Sequence, residues 1–202
     1  MPRLPKPVAL KRADLPADTI ALARHLIGVT LAHELPEGLV TARIVETEAY
    51  LPDDPASHSY RGQTKRNAPM FGERGHAYVY LNYGMYWLFN ISSETTGIGA
   101  GVLVRAVEPL SGLDVMSVRR PGKSGVDLTN GPGKLTKAMG IGPDHSSLDL
   151  CVGGTLRLEK PVRGTGAIGV STRIGLTKAA DHPLRFYERG NAWLSGPRGL
   201  NL

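Results

Sequence analysis

The 202-residue chain has one cysteine, Cys151, so no intramolecular disulfide or multi-cysteine metal centre can form within it. Such a chain suits a reducing compartment, and its Leu-Cys-Val setting reads as a small apolar packing position rather than a nucleophile. No run of about 18 apolar residues exists to cross a membrane. The N-terminal MPRLPKPVALKR carries charge but lacks the apolar segment of a secretion signal, so the chain is not expected to be secreted. Its six histidines show no HxH, HxxxH or HExxH spacing, and no metal or cofactor is expected. A G-x-S-x-G nucleophile elbow is missing. So is the GxxxxGK[ST] phosphate loop, which Gly131-Pro-Gly-Lys134 matches only loosely.

What is present points elsewhere. Lys and Arg outnumber Asp and Glu by 24 to 18, and a net charge of +6 favours polyanionic partners, nucleic acid before an anionic membrane surface. The 25 glycines and 15 prolines predict short elements and many loops. Aromatic residues are few, yet six of the twelve lie between positions 78 and 89 (YVYLNYGMYWLF). Alternation before Asn82-Tyr83-Gly84 and an apolar run after it predict a β-hairpin with Tyr83 at or beside its tip. A large aromatic residue there suggests insertion into a partner; a tyrosine-rich core hairpin is the plainer alternative.

Along the chain, residues 1–13 read as an extended basic arm. A helix is expected over 14–27, capped by Asp14, with Pro16 in its first turn and an apolar stripe of Ile20, Ala23, Leu26 and Ile27. Strands are expected over 29–33, 39–49, 99–107, 155–158, 168–174 and 184–187, and helices over 113–120 and between Pro132 and Gly140. The class is α+β: a single domain with a mostly antiparallel curved sheet, flanking helices and a protruding hairpin.

Several residues are candidates for chemistry. If the 39–49 strand stays regular, Glu46 and Glu48 share a face with Val40, Ala42 and Ile44. A buried carboxylate is costly unless paired, and Glu48, at the strand end before a long loop, is placed to act as a general base toward water. A surface or salt-bridged glutamate is the plainer reading, with Glu46 the internal competitor. Arg105 interrupts an apolar strand and needs a carboxylate or a polar site. His58 is, taken alone, an ordinary loop histidine. Gly131 and Lys134 open a helix that offers amides and an ammonium to a phosphate, or is a plain helix start.

Five ordered blocks bring these readings together: RIVETEAY (43–50), AYVYLNYGMYWLFNIS (77–92), VLVRAVEPLSG (102–112), NGPGKLTKAMGI (130–141) and PLRFYERG (183–190). From about residue 16 to about 190 the chain resembles the alkyladenine (3-methyladenine) DNA glycosylase family. The resemblance implies a monofunctional repair enzyme that flips a damaged purine, alkylated or deaminated, out of double-stranded DNA and hydrolyses its bond to the sugar. It implies that Glu48 is the general base with Arg105 beside it. Tyr50, His58 and Tyr80 stack on the base, Asn90 lies in the base pocket, and Tyr83 fills the gap in the duplex. Arg61, Thr64 and Arg66 carry over as DNA contacts, although the 58–64 loop is one residue shorter than the family pattern. The implied protein is monomeric, needs no membrane, and works in the cytoplasm or nucleoid of a prokaryote or the nucleus of a eukaryote.

A non-catalytic binder that stacks bases on tyrosines would explain the charge and aromatics but not Glu48. An O-glycosidase would need a second carboxylate, Asp53 or Asp54. The hairpin also makes a geometric demand. Tyr80 and Asn90 share a face only if the tip is centred on Gly84 so that 80 faces 88, which requires a wider or bulged turn rather than two residues at Tyr83-Gly84.

Overall fold

A thirteen-residue strand, β2 (Gly38–Tyr50), is the axis of the molecule. The structure is a computed structural model describing residues 8–197. Around β2 stand β1 (Thr30–Leu35), β3 (Ala77–Asn82), β4 (Tyr86–Ser92), β5 (Gly101–Ser111), β6 (Leu156–Glu159), β7 (Ile168–Ser171) and β8 (Arg185–Glu188). They form one curved antiparallel sheet in the order β3-β4-β5-β2-β1-β6, with β7 paired to β8 and β8 to β2. One edge of β2 is shared: β1 takes residues 38–43 and β8 takes 46–48. Three short helices, α1 (Thr19–His25), α2 (Leu113–Arg119) and α3 (Pro132–Ala138), flank the sheet. No helix among the described residues is long and apolar enough to cross a membrane.

The first helix begins later than expected. Leu15 precedes Pro16 and is extended (φ −88°, ψ 128°), as the proline ring demands of its neighbour. The cap is therefore Asp18, which accepts from the Ala21 amide at 2.7 Å. Asp14 instead accepts from the Lys11 amide at 2.9 Å, closing a separate 3-10 turn. Ile20 turns outward, while Leu22, Ala23 and Leu26 face the main core with Ile44, Val104 and Leu135. Residues 1–7 of the expected arm lie outside the described residues; beyond them Ala9 bridges Glu159 and the Leu10 amide donates to the Leu158 carbonyl at 2.9 Å, so this part of the chain lies along β6.

The hairpin meets its geometric demand. Tyr80 pairs with Leu88 and Tyr78 with Asn90, so Tyr80 and Asn90 share a face and the tip is centred on Gly84. Tyr83 (φ 48°) and Gly84 (φ 70°) both lie in the left-handed region, and the Met85 amide donates to the Asn82 carbonyl at 3.0 Å. Two positive φ values in succession give a turn whose twist matches the flanking strands. The base of the hairpin is braced by α3, where a Cβ on Gly133 would stand 2.8 Å from Cβ of Tyr86; only glycine permits that approach. Tyr78 and Phe89 are buried and Trp87 partly so, whereas Tyr86 is half exposed.

The expected regularity of β2 fails at one point, and this decides where its glutamates go. Ile44 pairs with Val107 and Glu46 with Ala106, leaving Val45 as an extra residue; Glu46 pairs with Ala106 and Thr47 with Val104, leaving Arg105 as an extra residue on β5. Two bulges therefore face one another. Before them Val40, Ala42 and Ile44 enter the main core. After them Ala49 does so, and the Thr47 hydroxyl reaches the Ala23 carbonyl of α1 at 2.8 Å. Because side chains alternate strictly along a strand, one inserted residue moves Glu46 and Glu48 to the opposite face from the three apolar residues.

Candidate active site

On that opposite face β2, β3, β4 and β5 form the floor and wall of a cavity of about 360 Å³. Tyr50, His58, Tyr80, Tyr83, Asn90 and Arg105 all line it, joined by Tyr78, Met70 and Leu88. Residues from four separate stretches of sequence thus meet at one place.

Beneath the floor lies Glu48, fully buried. Its Oε1 accepts from the Ile174 amide at 2.8 Å and pairs with Arg105 Nη1 at 3.1 Å. Its Oε2 accepts from the Tyr50 hydroxyl at 2.9 Å. A carboxylate oxygen has two acceptor positions. Oε1 takes two donors and Oε2 one, from Tyr50, whose ring lines the cavity. Burial, and then the charge of Glu48, pushes the Tyr50 hydroxyl well above the ordinary phenol range, so it remains a donor.

Arg105 owes its place to the bulge. Its Nε donates to Glu46 Oε1 at 3.0 Å and to Ser195 Oγ at 3.2 Å, while Nη1 faces Glu48. Burial works against its charge, but the two glutamates outweigh burial and raise its pKa, so it is a permanent cation. Glu46 has a different surrounding. It also accepts from Arg185 Nε at 2.7 Å and from the Ser195 amide at 2.6 Å and hydroxyl at 2.8 Å. All three partners of Glu48, namely Tyr50, Arg105 and Ile174, line the cavity, whereas of the partners named for Glu46 Arg105 does and Arg185 and Ser195 do not.

The aromatic wall is ordered by mutual contact. Tyr78 and Tyr80 stack at 5.4 Å between ring centroids, and the His58 ring stands edge-on to Tyr80 at 4.3 Å. His58 Nδ1 lies 3.0 Å from the Tyr78 hydroxyl. Partial enclosure of the imidazole, and then Arg66, lower its pKa and favour the neutral ring. Burial raises the Tyr80 hydroxyl. Asn90 donates through Nδ2 to the Tyr78 carbonyl at 3.2 Å, which fixes the orientation of its amide toward the cavity. Tyr83 stands 85% exposed at the tip, so it is no part of a core hairpin.

The other predicted residues lie around the cavity mouth or outside it. Arg61, Thr64 and Arg66 are exposed on the 61–66 loop. Thr64 Oγ1 donates to Asn67 Oδ1 at 3.0 Å, and Arg66 Nη2 donates to the Leu81 carbonyl at 3.1 Å. Gly131 precedes Pro132, which lines the cavity, and Lys134 is held by Asp127 Oδ1 at 3.0 Å and Asn130 Oδ1 at 2.7 Å. A phosphate at Lys134 would have to displace Asp127. Asp53 is exposed, and Asp54 is buried in a two-pronged pair with Arg173. Neither lines the cavity, so the second carboxylate of an O-glycosidase is not found at either candidate. No cluster of potential metal ligands occurs among the described residues.

The description of one family, Methylpurine-DNA glycosylase (MPG), matches residues 13–192. The chain belongs to that family. A protein of Mesorhizobium japonicum carrying the name "Putative 3-methyladenine DNA glycosylase" is 53% identical to it over 191 residues, covering 95% of this chain and 92% of its own length. Proteins of the same name from Paraburkholderia phytofirmans and Methanoculleus marisnigri are 50% and 47% identical, covering 95% and 93% of this chain and 90% and 99% of their own lengths.

Four participants escape the sequence reading: Arg173, the Ile174 amide, Arg185 and Ser195. All lie more than 120 residues from Glu48, in loops or on the short strand β8. A backbone amide has no sequence signature, and a buried arginine is spelled like a surface one.

Proposed function

We propose that this family member is a DNA glycosylase that extrudes a damaged purine, alkylated or deaminated, from duplex DNA and hydrolyses its bond to the sugar with water activated by Glu48. The observation that carries this reading is a fully buried Glu48 whose three partners, Tyr50, Arg105 and Ile174, all line one aromatic cavity. A volume of about 360 Å³ is at the small end of ligand pockets and suits one flat ring system.

A base inside the helix cannot be reached at its sugar carbon, so it must leave the stack at a cost of a few kcal/mol. Tyr83, exposed at the tip, fills the space left behind. Tyr50, Tyr80 and His58 hold the extruded base, with stacking worth roughly 1–3 kcal/mol per base. Asn90, whose amide orientation is fixed, tests the base edge against the 2-amino group of a normal guanine. A water on Glu48 Oε2 then adds its oxygen to C1′. The C1′–N bond breaks, the base departs with the bonding electrons, and the water proton passes to Glu48, leaving an abasic site. Arg105, 3.1 Å from Glu48 Oε1, holds the carboxylate in place. Among the described residues no lysine lines the cavity, which favours direct hydrolysis over a Schiff-base route. Arg61, Thr64, Arg66 and Lys134 serve the DNA backbone, and one copy of the chain suffices.

Incubating the protein with a duplex holding one alkylated purine or one hypoxanthine, then cleaving abasic sites with alkali, tests the reading. Strand breaks are expected from the wild type, and Glu48→Gln is expected to slow the single-turnover step by about 10²–10⁴-fold. Tight binding without an abasic product would refute it in favour of a stacking binder.

A further inference from the structure

Two of the tyrosines that line the cavity carry an arginine on a ring face. The guanidinium carbon of Arg173 lies 4.7 Å from the centroid of Tyr50, and that of Arg66 lies 5.5 Å from the centroid of Tyr80. Neither arginine lines the cavity, so each backs its ring from behind. Both are fixed. Arg173 is buried, donating to Asp54, to the Ala49 carbonyl at 2.9 Å and to the Ala179 carbonyl at 3.3 Å. Arg66 is anchored on the Leu81 carbonyl.

An aromatic face attracts a cation because its π electrons carry partial negative charge. A ring already polarised toward a cation on one face has less to offer a second on the other, and the two cations repel across it. The fixed charges nearby do not reverse this. Three carboxylates, Glu46, Glu48 and Asp54, are matched by Arg105, Arg185 and Arg173, leaving Arg66 in excess. The pocket is therefore no trap for positive charge, although its rings alone would suggest one.

We infer that Arg66 and Arg173 set the balance between cationic and neutral purines: by placing positive charge behind the stacking tyrosines, they hold back cationic alkylpurines and keep neutral purine lesions competitive. This rests on the glycosylase reading above and assigns the specificity of that same site. A neutral base stacks through dispersion and dipoles, which a charge behind the ring barely alters. A cationic base loses part of its added attraction.

Arg66 is the residue to vary, because it is exposed, whereas Arg173 is buried in its pair with Asp54. Single-turnover excision is measured on two duplexes that differ only in holding 7-methylguanine, a cation, or hypoxanthine, a neutral base. Their rate ratio cancels any contact of Arg66 with the DNA backbone, which both duplexes share. Arg66→Gln is expected to raise the ratio of cationic to neutral excision by about twofold to fivefold, the range set by partly exposed cation–π contacts. Arg66→Glu should raise it further, and Arg66→Lys, which keeps the charge, should leave it at the wild-type value. A ratio that is flat or falling across Lys, Gln and Glu overturns the inference while leaving the glycosylase reading in place. Release of neither base by the wild type refutes that reading itself.

Discussion

Glu46 and Glu48 share one arginine, and exchanging each for glutamine should separate stability from chemistry. Glu46 is fully buried and accepts from Arg105 Nε, Arg185 Nε, and the amide and hydroxyl of Ser195, at 2.6–3.0 Å. All four partners are donors. In Glu46→Gln the new amide nitrogen must face one of them, most cheaply the Ser195 amide, so one hydrogen bond becomes a donor–donor contact. Two buried guanidinium groups also lose half of their counter-charge. Breaking one side of a buried pair costs about 3–5 kcal/mol, a large share of the ~5–15 kcal/mol that holds a domain together. Urea unfolding followed by the fluorescence of Trp87 and Trp193 should show the midpoint falling with an unchanged slope. Excision by the folded fraction should stay within about tenfold of wild type, because Glu48 keeps Ile174, Tyr50 and Arg105 Nη1. A stability loss under about 1 kcal/mol together with a collapse of excision would refute this division of labour.

Three further outcomes follow from the geometry. Tyr83→Gly relieves a left-handed backbone (φ 48°) and removes a side chain that is 85% exposed, so stability should hold or rise by up to about 1 kcal/mol while affinity for lesion-bearing duplex falls at least fivefold, as a thermal melt and a titration would show. Burial opposes ionisation of Glu188, but Arg43, the Gly166 amide and Asn191 outweigh burial and bring its pKa down to about 2. A folded-state value below the unfolded one gives stability that is full above about pH 4.5 and drains away as pH falls toward 2. Urea midpoints measured down that range should fall in the wild type and flatten in Glu188→Gln. Gly133→Ala would drive a methyl into Tyr86, at 2.8 Å from its Cβ, and should cost about 1–3 kcal/mol in the same unfolding assay.

How much of this was legible in the sequence depends on the range of the signal. The hairpin turn followed from the resemblance, which puts Tyr80 and Asn90 in one pocket, together with parity, because only an even pairing sum brings them to one face, and the register has that sum. The α+β class and most strands followed from period-two patterns and turn residues. Tyr50, His58, Tyr80, Asn90 and Arg105 were singled out through the family resemblance and do converge on one cavity. The start of α1 was misplaced because Asp14 and Asp18 are both good caps, and the effect of Pro16 on Leu15 decides between them. The face of Glu46 and Glu48 was misread because bulges at Val45 and Arg105 have no composition of their own. Arg173 and Ile174 were invisible for a different cause: they reach Glu48 and Tyr50 across more than 120 residues of chain, where no periodicity operates.

The facing bulges at Val45 and Arg105 have a consequence for how the chain tolerates change in length. Because each strand carries one extra residue, the pairing before and after them remains in step. Removing both would leave a continuous ladder but turn Glu46 and Glu48 inward among the aliphatic side chains. Removing one would also throw the two strands out of step. A lost codon here does not trim a loop; it exchanges the inside and outside of half a strand. Single-residue deletions at these two places should therefore be among the least tolerated in the protein, even though neither residue has a partner in the backbone ladder between β2 and β5.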